Sequence, residues 1–153
     1  MTRGMARITI GAFLGAVLVA VTVSGAGQQS PAPAPAPSPG AARFTGKQTM
    51  VESGGSETLR VARGRFEAGT RSYWHSHDNG QLIFVQEGRG RVQRRGEAIK
   101  EIGLHESDYT GPTIVHWHGA APDQHAVFAT VAFGGATQWL DEVPEDQYLG
   151  TQR

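Results

Sequence analysis

The chain has 153 residues, enough for one domain of ordinary size, and its 14 basic residues balance its 14 acidic ones. This balance provides no overall attraction to nucleic acid or to an anionic membrane surface. There is no cysteine, which excludes disulfides and thiolate metal sites, so a bound metal must use imidazole, carboxylate, amide or water ligands.

Residues 1–26 have the pattern of a signal peptide. Arg3 and Arg7 form a short basic region, residues 8–23 are an uncharged apolar run, and residues 24–26 are small. We therefore predict cleavage near Ala26 and export to the periplasm or the cell exterior. The alternative is an uncleaved N-terminal helix that tethers the protein to the membrane, although the apolar run is slightly short for a span.

Residues 27–43 form a linker rich in proline and alanine. Alternating proline and alanine cannot build a packed core and favour an extended polyproline II conformation. We predict a semi-rigid tether, followed by a single folded domain over residues 44–153.

The folded domain shows short β-type runs separated by glycine turns, and helix signals are nearly absent before the C-terminus. A final short helix is predicted over residues 144–149, with a proline and two acidic residues in its first turn. Many short strands at regular spacing indicate an all-β sandwich or barrel. The predicted strands are residues 57–66, 72–77, 81–88, 90–95, 98–102, 108–111, 113–119 and 125–134, with a further strand or loop over 134–140.

The six histidines all lie between residues 75 and 125. Because alternate residues of a strand point to the same face, His75 and His77 share one face, and His116 and His118 share a face of a later strand. A single His-x-His pair is more often a surface feature than a metal site. Two such pairs on separate strands can meet inside a small barrel, which favours a metal site.

Gln81 has the same odd parity as His75 and His77 and follows a turn at residues 78–80 whose Asn-Gly pair is a strong hairpin signal. The amide can therefore approach the same point as the two imidazoles. Its carbonyl oxygen would bind a metal and its NH₂ group would face away.

Two segments of the chain resemble the two conserved motifs of the cupins. Residues 69–88 resemble the first motif: a glycine is followed after five residues by His-x-His, then after three residues by the next ligand position, and after six more by a second glycine. Residues 103–122 resemble the second motif, with Pro112 before His116. The match is closest to the small single-domain cupins that include the manganese-dependent bacterial hydroxynitrile lyases, with "WHSH", a glutamine in place of glutamate, "HWHGAAP" and "QWLDEVPEDQY" in common. The resemblance implies an all-β fold, a single jelly-roll-like cupin barrel with a short C-terminal helix.

The resemblance also implies roles for individual residues. The family's metal ligands fall on His75, His77, Gln81 and His116. His118 would be an inward neighbour that moves a proton with a pKa near neutrality; the alternative is a histidine that is hydrogen-bonded within the pocket wall.

Ala62 and Gly64 match small positions that line the family's substrate pocket, and Phe128 occupies the position at which the lyases carry a second active-site histidine. His125 lies three residues earlier, on the opposite face of a regular strand. One of the lyases' candidate proton carriers is therefore missing from this chain.

Two aromatic residues, Trp139 and Tyr148, are expected to hold the C-terminal segment on the barrel. Arg71 either fixes a pocket or loop through an ion pair or is an ordinary surface charge. The arginine-rich segment 88–96 lacks the aromatic residues and the wider basic face that a nucleic-acid site would need.

Three imidazoles and an amide would leave the charge of a divalent ion uncompensated, which makes the ion a stronger Lewis acid. The donors suit manganese, iron, zinc, nickel or cobalt, and the resemblance favours manganese. We therefore expect an exported, metal-dependent lyase that acts on a small hydroxy or carbonyl compound by cyanohydrin-type carbon–carbon cleavage or addition. Its partner would be a small molecule, with neither nucleic acid nor membrane bound by the mature domain, and the barrel would form a homodimer or homotetramer. Two alternatives stay open: an oxygenase-type cupin and a non-catalytic module that binds a small ligand.

Overall fold

A computed structural model of the protein describes residues 42–152. The predicted signal peptide and nearly all of the predicted linker lie outside the described residues. Within residues 42–152, no helix is long and apolar enough to cross a membrane.

The described chain consists of twelve strands and one helix. The strands are β1 (Phe44–Thr45), β2 (Gln48–Gly55), β3 (Arg60–Phe66), β4 (Arg71–Ser72), β5 (His75–His77), β6 (Gln81–Gly88), β7 (Gly90–Arg94), β8 (Lys100–Ile102), β9 (Ser107–Thr110), β10 (His116–Ala120), β11 (Ala126–Ala132) and β12 (Thr137–Trp139). The helix α1 spans Glu145–Leu149 and confirms the predicted C-terminal helix.

The strands form two antiparallel sheets. The five-stranded sheet has the order β2-β3-β11-β6-β9. In the seven-stranded sheet, β10 pairs on one side with β7, which continues to β8. On its other side β10 pairs with β4 and then β5, which extend the sheet to β1 and β12.

The alternation of side chains along the strands explains which face of each sheet is buried. In β6, Gln81, Ile83 and Val85 are buried and the residues between them are more exposed. In β3, the even-numbered residues Gly64 and Phe66 are buried in the same way. These inward positions of the five-stranded sheet contribute to the core between the two sheets.

The core between the sheets is apolar and closely packed at one end. Phe66 and Phe128 meet edge to face with ring centroids 5.2 Å apart, and together with the remaining members they exclude water from this end. Burial of each large apolar side chain contributes roughly 1.5–3 kcal/mol to folding. The cluster comprises Phe66, Ile83, Val85, Val92, Ile102, Ala120, Ala126 and Phe128.

The C-terminal segment covers a second apolar cluster that contains Trp74, Trp117, Val143 and Tyr148. The Tyr148 hydroxyl donates a hydrogen bond to a backbone carbonyl of β10 at 2.8 Å. Burial raises the pKa of Tyr148 to about 12, which keeps the hydroxyl protonated. Tyr148 therefore holds this segment on the sheet, as predicted.

Arg71 also holds the C-terminal segment in place. Its guanidinium forms an ion pair with Glu145 at 2.8 Å, donates to the Val143 carbonyl at 3.0 Å and lies 4.6 Å from the centre of the Tyr148 ring. Arg71 is 4 % exposed. The reading of Arg71 as an ordinary surface charge is therefore wrong, and its ion pair holds the C-terminal loop.

The predicted hairpin across residues 78–80 is wrong. The turn itself exists, with Gly80 at φ +88° and its N–H directed to the His77 carbonyl at 3.3 Å. However, β5 pairs with β10 and β12, whereas β6 pairs with β9 and β11. The turn therefore carries the chain from one sheet to the other, because the three residues of β5 are already flanked by partners on both sides.

Three further details differ from the predicted strands. The strand predicted over residues 72–77 is interrupted at Tyr73 and Trp74, whose N–H groups donate to carbonyls of Arg43 and Asp141 at 2.9 and 3.0 Å. The short β1 was not predicted. The sequence also gave no sign of β2, because this edge strand is exposed along nearly its whole length and carries no apolar alternation.

Candidate metal centre

Three buried histidines lie at one end of the space between the sheets. His75 and His77 come from β5, and His116 opens β10 directly opposite His75. They are 1 %, 5 % and 1 % exposed, and the ring nitrogens that could bind a metal all lie within 4.8 Å of one another. The three residues can therefore hold one metal ion.

The Nδ1 atom of each of these three rings contacts an oxygen of the surrounding chain. His75 and His116 each place Nδ1 next to the backbone carbonyl of the residue two positions earlier, at 2.9 and 3.1 Å. His77 places Nδ1 3.1 Å from the Thr137 hydroxyl. The carbonyl contacts of His75 and His116 select the tautomer with its proton on Nδ1 and leave the Nε2 lone pair available for a metal. The Thr137 hydroxyl can accept the Nδ1 proton of His77 in the same tautomer.

Gln81 approaches the same point from the other sheet, with its Oε1 3.0 Å from His116 Nε2. A neutral His116 that donates its Nδ1 proton to the Ile114 carbonyl has no proton on Nε2. The amide oxygen and the ring nitrogen therefore present two lone pairs to each other, an arrangement that a shared cation satisfies.

The buried imidazoles also carry an unsatisfied atom. Across residues 42–152, His77 Nε2 has no hydrogen-bond partner. A buried polar atom without a partner is costly. The arrangement of these groups fits a metal ion at this point.

The surroundings keep the three imidazoles neutral. Burial lowers the pKa of His75 to about 4. Burial and, second, the charge of His75 lower the pKa of His77 to about 4. Burial holds the pKa of His116 well below its ordinary value. Neutral imidazole is the form that binds metal ions.

No carboxylate of the described chain lines this end of the barrel. The nearest acidic residue in sequence, Asp78, instead accepts a hydrogen bond from the Ala136 N–H at 2.8 Å and stabilises the adjacent loop. The potential donors are therefore all uncharged.

His118 lies beside the three histidines and contributes to the wall of the cavity. Its ring centroid is 5.4 Å from that of His75, 5.7 Å from that of Phe66 and 5.5 Å from that of Phe128. Its Nδ1 is buried and has no hydrogen-bond partner in the part of the chain that the structure describes. The unpartnered Nδ1 does not support the interpretation of His118 as a histidine that is hydrogen-bonded within the pocket wall.

The expected pKa of His118 near neutrality is wrong. Burial, with the charges of His75 and His77 as smaller contributions, holds the pKa of His118 well below its ordinary value. His118 is therefore a neutral imidazole at pH 7, and once protonated it gives up its proton more readily than an ordinary imidazolium.

A cavity of about 130 Å³ opens at the histidines. The structure places Ala62, Gly64 and Phe128 in its wall, between the metal-site residues and the apolar core. The ring of Phe128 lies so close to Gly90 that a Cβ atom there would be 2.6 Å from it. His125 lies outside this cavity, 4.0 Å from Glu87.

Trp139 is the site residue that the sequence did not reveal. It pairs with His75 across β12 and β5, and its ring stacks on the His75 ring with centroids 4.8 Å apart and planes 29° apart. It also meets Phe44 edge to face at 5.9 Å. The sequence predicted only that Trp139 holds the C-terminal segment on the barrel, and the pairing of β12 with β5 reveals its contact with the site.

No family model matches the chain. An (R)-mandelonitrile lyase from Granulicella tundricola is 38 % identical over 86 residues, which cover 54 % of this chain. The chain spans 66 % of that relative's length, just under two thirds.

Solved structures give a consistent result for the fold. A cupin-like protein from Thermotoga maritima has 34 % sequence identity and a TM-score of 0.65, covering 71 % of this chain and 87 % of that protein. The DMSP lyase DddQ from Ruegeria pomeroyi has 17 % identity and a TM-score of 0.53, covering 67 % and 54 %, and supports the fold alone. The predicted all-β barrel with a short C-terminal helix is confirmed. The chain therefore belongs to the cupins and is similar to their bacterial hydroxynitrile lyases.

Proposed function

We propose that the protein is a metal-dependent lyase that breaks or forms a carbon–carbon bond next to the hydroxyl or carbonyl oxygen of a small compound. A cyanohydrin is the first candidate substrate, because the matched relative is named a mandelonitrile lyase. The observation that carries this proposal is the uncharged donor set, three imidazoles and one amide, beside a further buried imidazole in a cavity whose remaining lining is mostly apolar.

The metal would be held by His75, His77, Gln81 and His116. Manganese is the first candidate, and iron, zinc, nickel and cobalt suit the same donors. When bound, the ion would supply Lewis-acid polarisation of the substrate oxygen, strengthened because no carboxylate offsets its charge.

His118 is the proposed proton carrier. As the bond between the carbinol carbon and the nitrile carbon breaks, its electron pair leaves with cyanide and the hydroxyl proton passes to His118. The low pKa of His118 means that the imidazolium then gives its proton readily to cyanide, so the products are an aldehyde and hydrogen cyanide.

The cavity wall would bind the apolar part of the substrate. Phe44, Phe66, Phe128 and Trp139 present ring faces and edges to the space next to the histidines. Aromatic rings bind apolar and aryl groups through dispersion and edge-to-face contacts. This lining supports a substrate with an aryl or alkyl substituent on its carbinol carbon.

A non-catalytic module that binds a small ligand is the second candidate, and Phe128 favours it. Since Phe128 stands where the lyases of the resemblance carry a histidine, His118 is the one histidine beside the ligand set, among residues 42–152, that is left to move a proton. Incubation of the metal-loaded protein with mandelonitrile distinguishes the two candidates. Release of benzaldehyde supports the lyase, and unchanged nitrile after prolonged incubation supports the binding module.

The experiment for the lyase combines elemental analysis with the cleavage assay. The metal-loaded wild type should release benzaldehyde, and His118→Gln should retain its metal and lose most of this activity. His125→Gln changes a histidine outside the cavity and is the matched control. Loss of activity to the same degree in both variants would count against the role of His118.

Two further proposed properties of the protein are its export and its oligomeric state. We propose that the mature chain begins after Ala26 and forms a homodimer or homotetramer outside the cytoplasm. Mass spectrometry of the N-terminus of protein from the cell envelope or medium, and light scattering of the purified mature chain, test these two points.

A further inference from the structure

We propose that Arg60 binds the carboxylate of the ligand, so that the site takes small hydroxy- or oxo-acids. This inference rests on the proposed function, whose substrate class it narrows. The proposed carboxylate site lies in the recess next to the cavity, which Arg60 and Thr137 line.

Arg60 lies at the mouth of the candidate site. It opens β3 and has the same parity as Ala62 and Gly64, which line the cavity. An outer recess of about 520 Å³ adjoins the cavity, and Arg60 lines this recess together with His77 and others of the cavity residues.

The guanidinium of Arg60 has no acidic partner. Within the described residues, no carboxylate oxygen lies within 4.0 Å of it, whereas the outward-facing arginines of the same strand, Arg63 and Arg65, pair with Glu87 at 3.3 Å and Glu67 at 2.9 Å. The one side-chain hydrogen bond of Arg60 within the described residues goes from Nη2 to the Thr137 hydroxyl at 3.3 Å. Most of its donors remain available for a ligand.

The same hydroxyl connects Arg60 with the candidate metal centre. Thr137 Oγ1 lies 3.1 Å from His77 Nδ1 and 3.3 Å from Arg60 Nη2. The guanidinium is therefore separated from a metal-site imidazole by a single side chain. Arg60 and His77 both line the recess, so a small molecule bound there can contact both groups.

The charge of the site points to an anionic ligand. Arg60 is the one charged residue among the described residues that line the cavity and the recess. A divalent ion with uncharged ligands would add to this positive charge. A carboxylate accepts two parallel hydrogen bonds from a guanidinium, so an acid whose hydroxyl or carbonyl oxygen faces the imidazoles would offset the excess charge.

The test compares mandelate with mandelamide, its uncharged analogue, by calorimetric titration of the metal-loaded full chain at low ionic strength. The variant is Arg60→Gln. The matched control is Arg63→Gln, which removes an arginine from the outer face of the same strand. Elemental analysis of each sample checks that metal content is equal.

We expect the affinity ratio of mandelate to mandelamide to fall about tenfold in Arg60→Gln and to stay within about twofold in Arg63→Gln. An unchanged ratio in Arg60→Gln, or an equal fall in both variants, overturns the inference. The mandelonitrile assay on the same wild-type sample separates the two proposals. Cleavage without an Arg60-dependent ratio overturns only the carboxylate site, and an Arg60-dependent ratio without cleavage supports the carboxylate site while counting against the lyase.

Discussion

Substitution of Gly90 by alanine tests how Phe128 is held at the inner end of the cavity. A Cβ atom at Gly90 would lie 2.6 Å from two atoms of the Phe128 ring and 3.2 Å from Ile102. Phe128 is fully buried and packs on Phe66 and His118 at ring distances of 5.2 and 5.5 Å, so its ring can move away from Gly90 only by displacing these neighbours or by entering the cavity. Gly90 does not have a positive φ, so backbone strain does not contribute to the effect.

We expect Gly90→Ala to lower the free energy of unfolding by about 1–3 kcal/mol, the usual cost of overpacking a core. Phe128→Leu removes the clashing ring atoms and should cost about 1–3 kcal/mol alone through the space it leaves. The double variant should then be more stable than the sum of the single effects predicts, by about 0.5–3 kcal/mol.

Urea denaturation of the four proteins measures this coupling. Gly103→Ala is the control, because the nearest atom to its added Cβ would lie at 3.6 Å, and its effect should stay within about 0.5 kcal/mol. Additive effects of Gly90→Ala and Phe128→Leu would refute the assigned contact.

The remaining predictions concern the histidines. Thr137→Val should lower metal affinity about 10–100-fold in competition with a chelator, because it removes the oxygen that orients His77, while Thr137→Ser should retain it. His118→Gln should lower kcat for mandelonitrile about 10²–10⁴-fold without loss of metal, and His125→Gln should not; equal loss in both would reject the assignment. The metal-free protein should lose stability as pH falls, since the pKa values of His75 and His77 drop from 6.5 to about 4 on folding. Its stability should be greatest above pH 6.5 and should fall between pH 6.5 and 4 by up to about 1.4 kcal/mol per pH unit for each histidine; a melting temperature that is equal at pH 7 and pH 5 would contradict this.

The spacing of residues within strands predicted the centre of the site well. The two-residue period of a strand correctly placed His75 and His77 on the same face of one strand and His116 and His118 on the same face of a later strand, because this period depends only on backbone geometry. The sequence also predicted that Gln81 approaches the point at which His75 and His77 meet, and its Oε1 lies 3.0 Å from His116 Nε2 at this site, although the hairpin invoked for it was wrong. The turn brings Gln81 to the same point because it links β5 of one sheet directly to β6 of the facing sheet.

The features that the sequence could not predict depend on which strands become neighbours. Trp139 contacts His75 through the pairing of β12 with β5, which are separated by about 60 residues along the chain. Arg60 reaches the site through Thr137, also from β12. The pKa of His118 depends on burial by residues from both sheets, so its departure from neutrality required the packed structure.

Metal content tests the account most directly. Plasma mass spectrometry of the purified wild type and of His75→Ala, Gln81→Ala and His125→Ala should find a stoichiometric divalent metal in the wild type and in the His125 variant. The His75 and Gln81 variants should lose it, because each removes a donor from the set that meets at His116. Full metal retention in both of these variants would contradict the site.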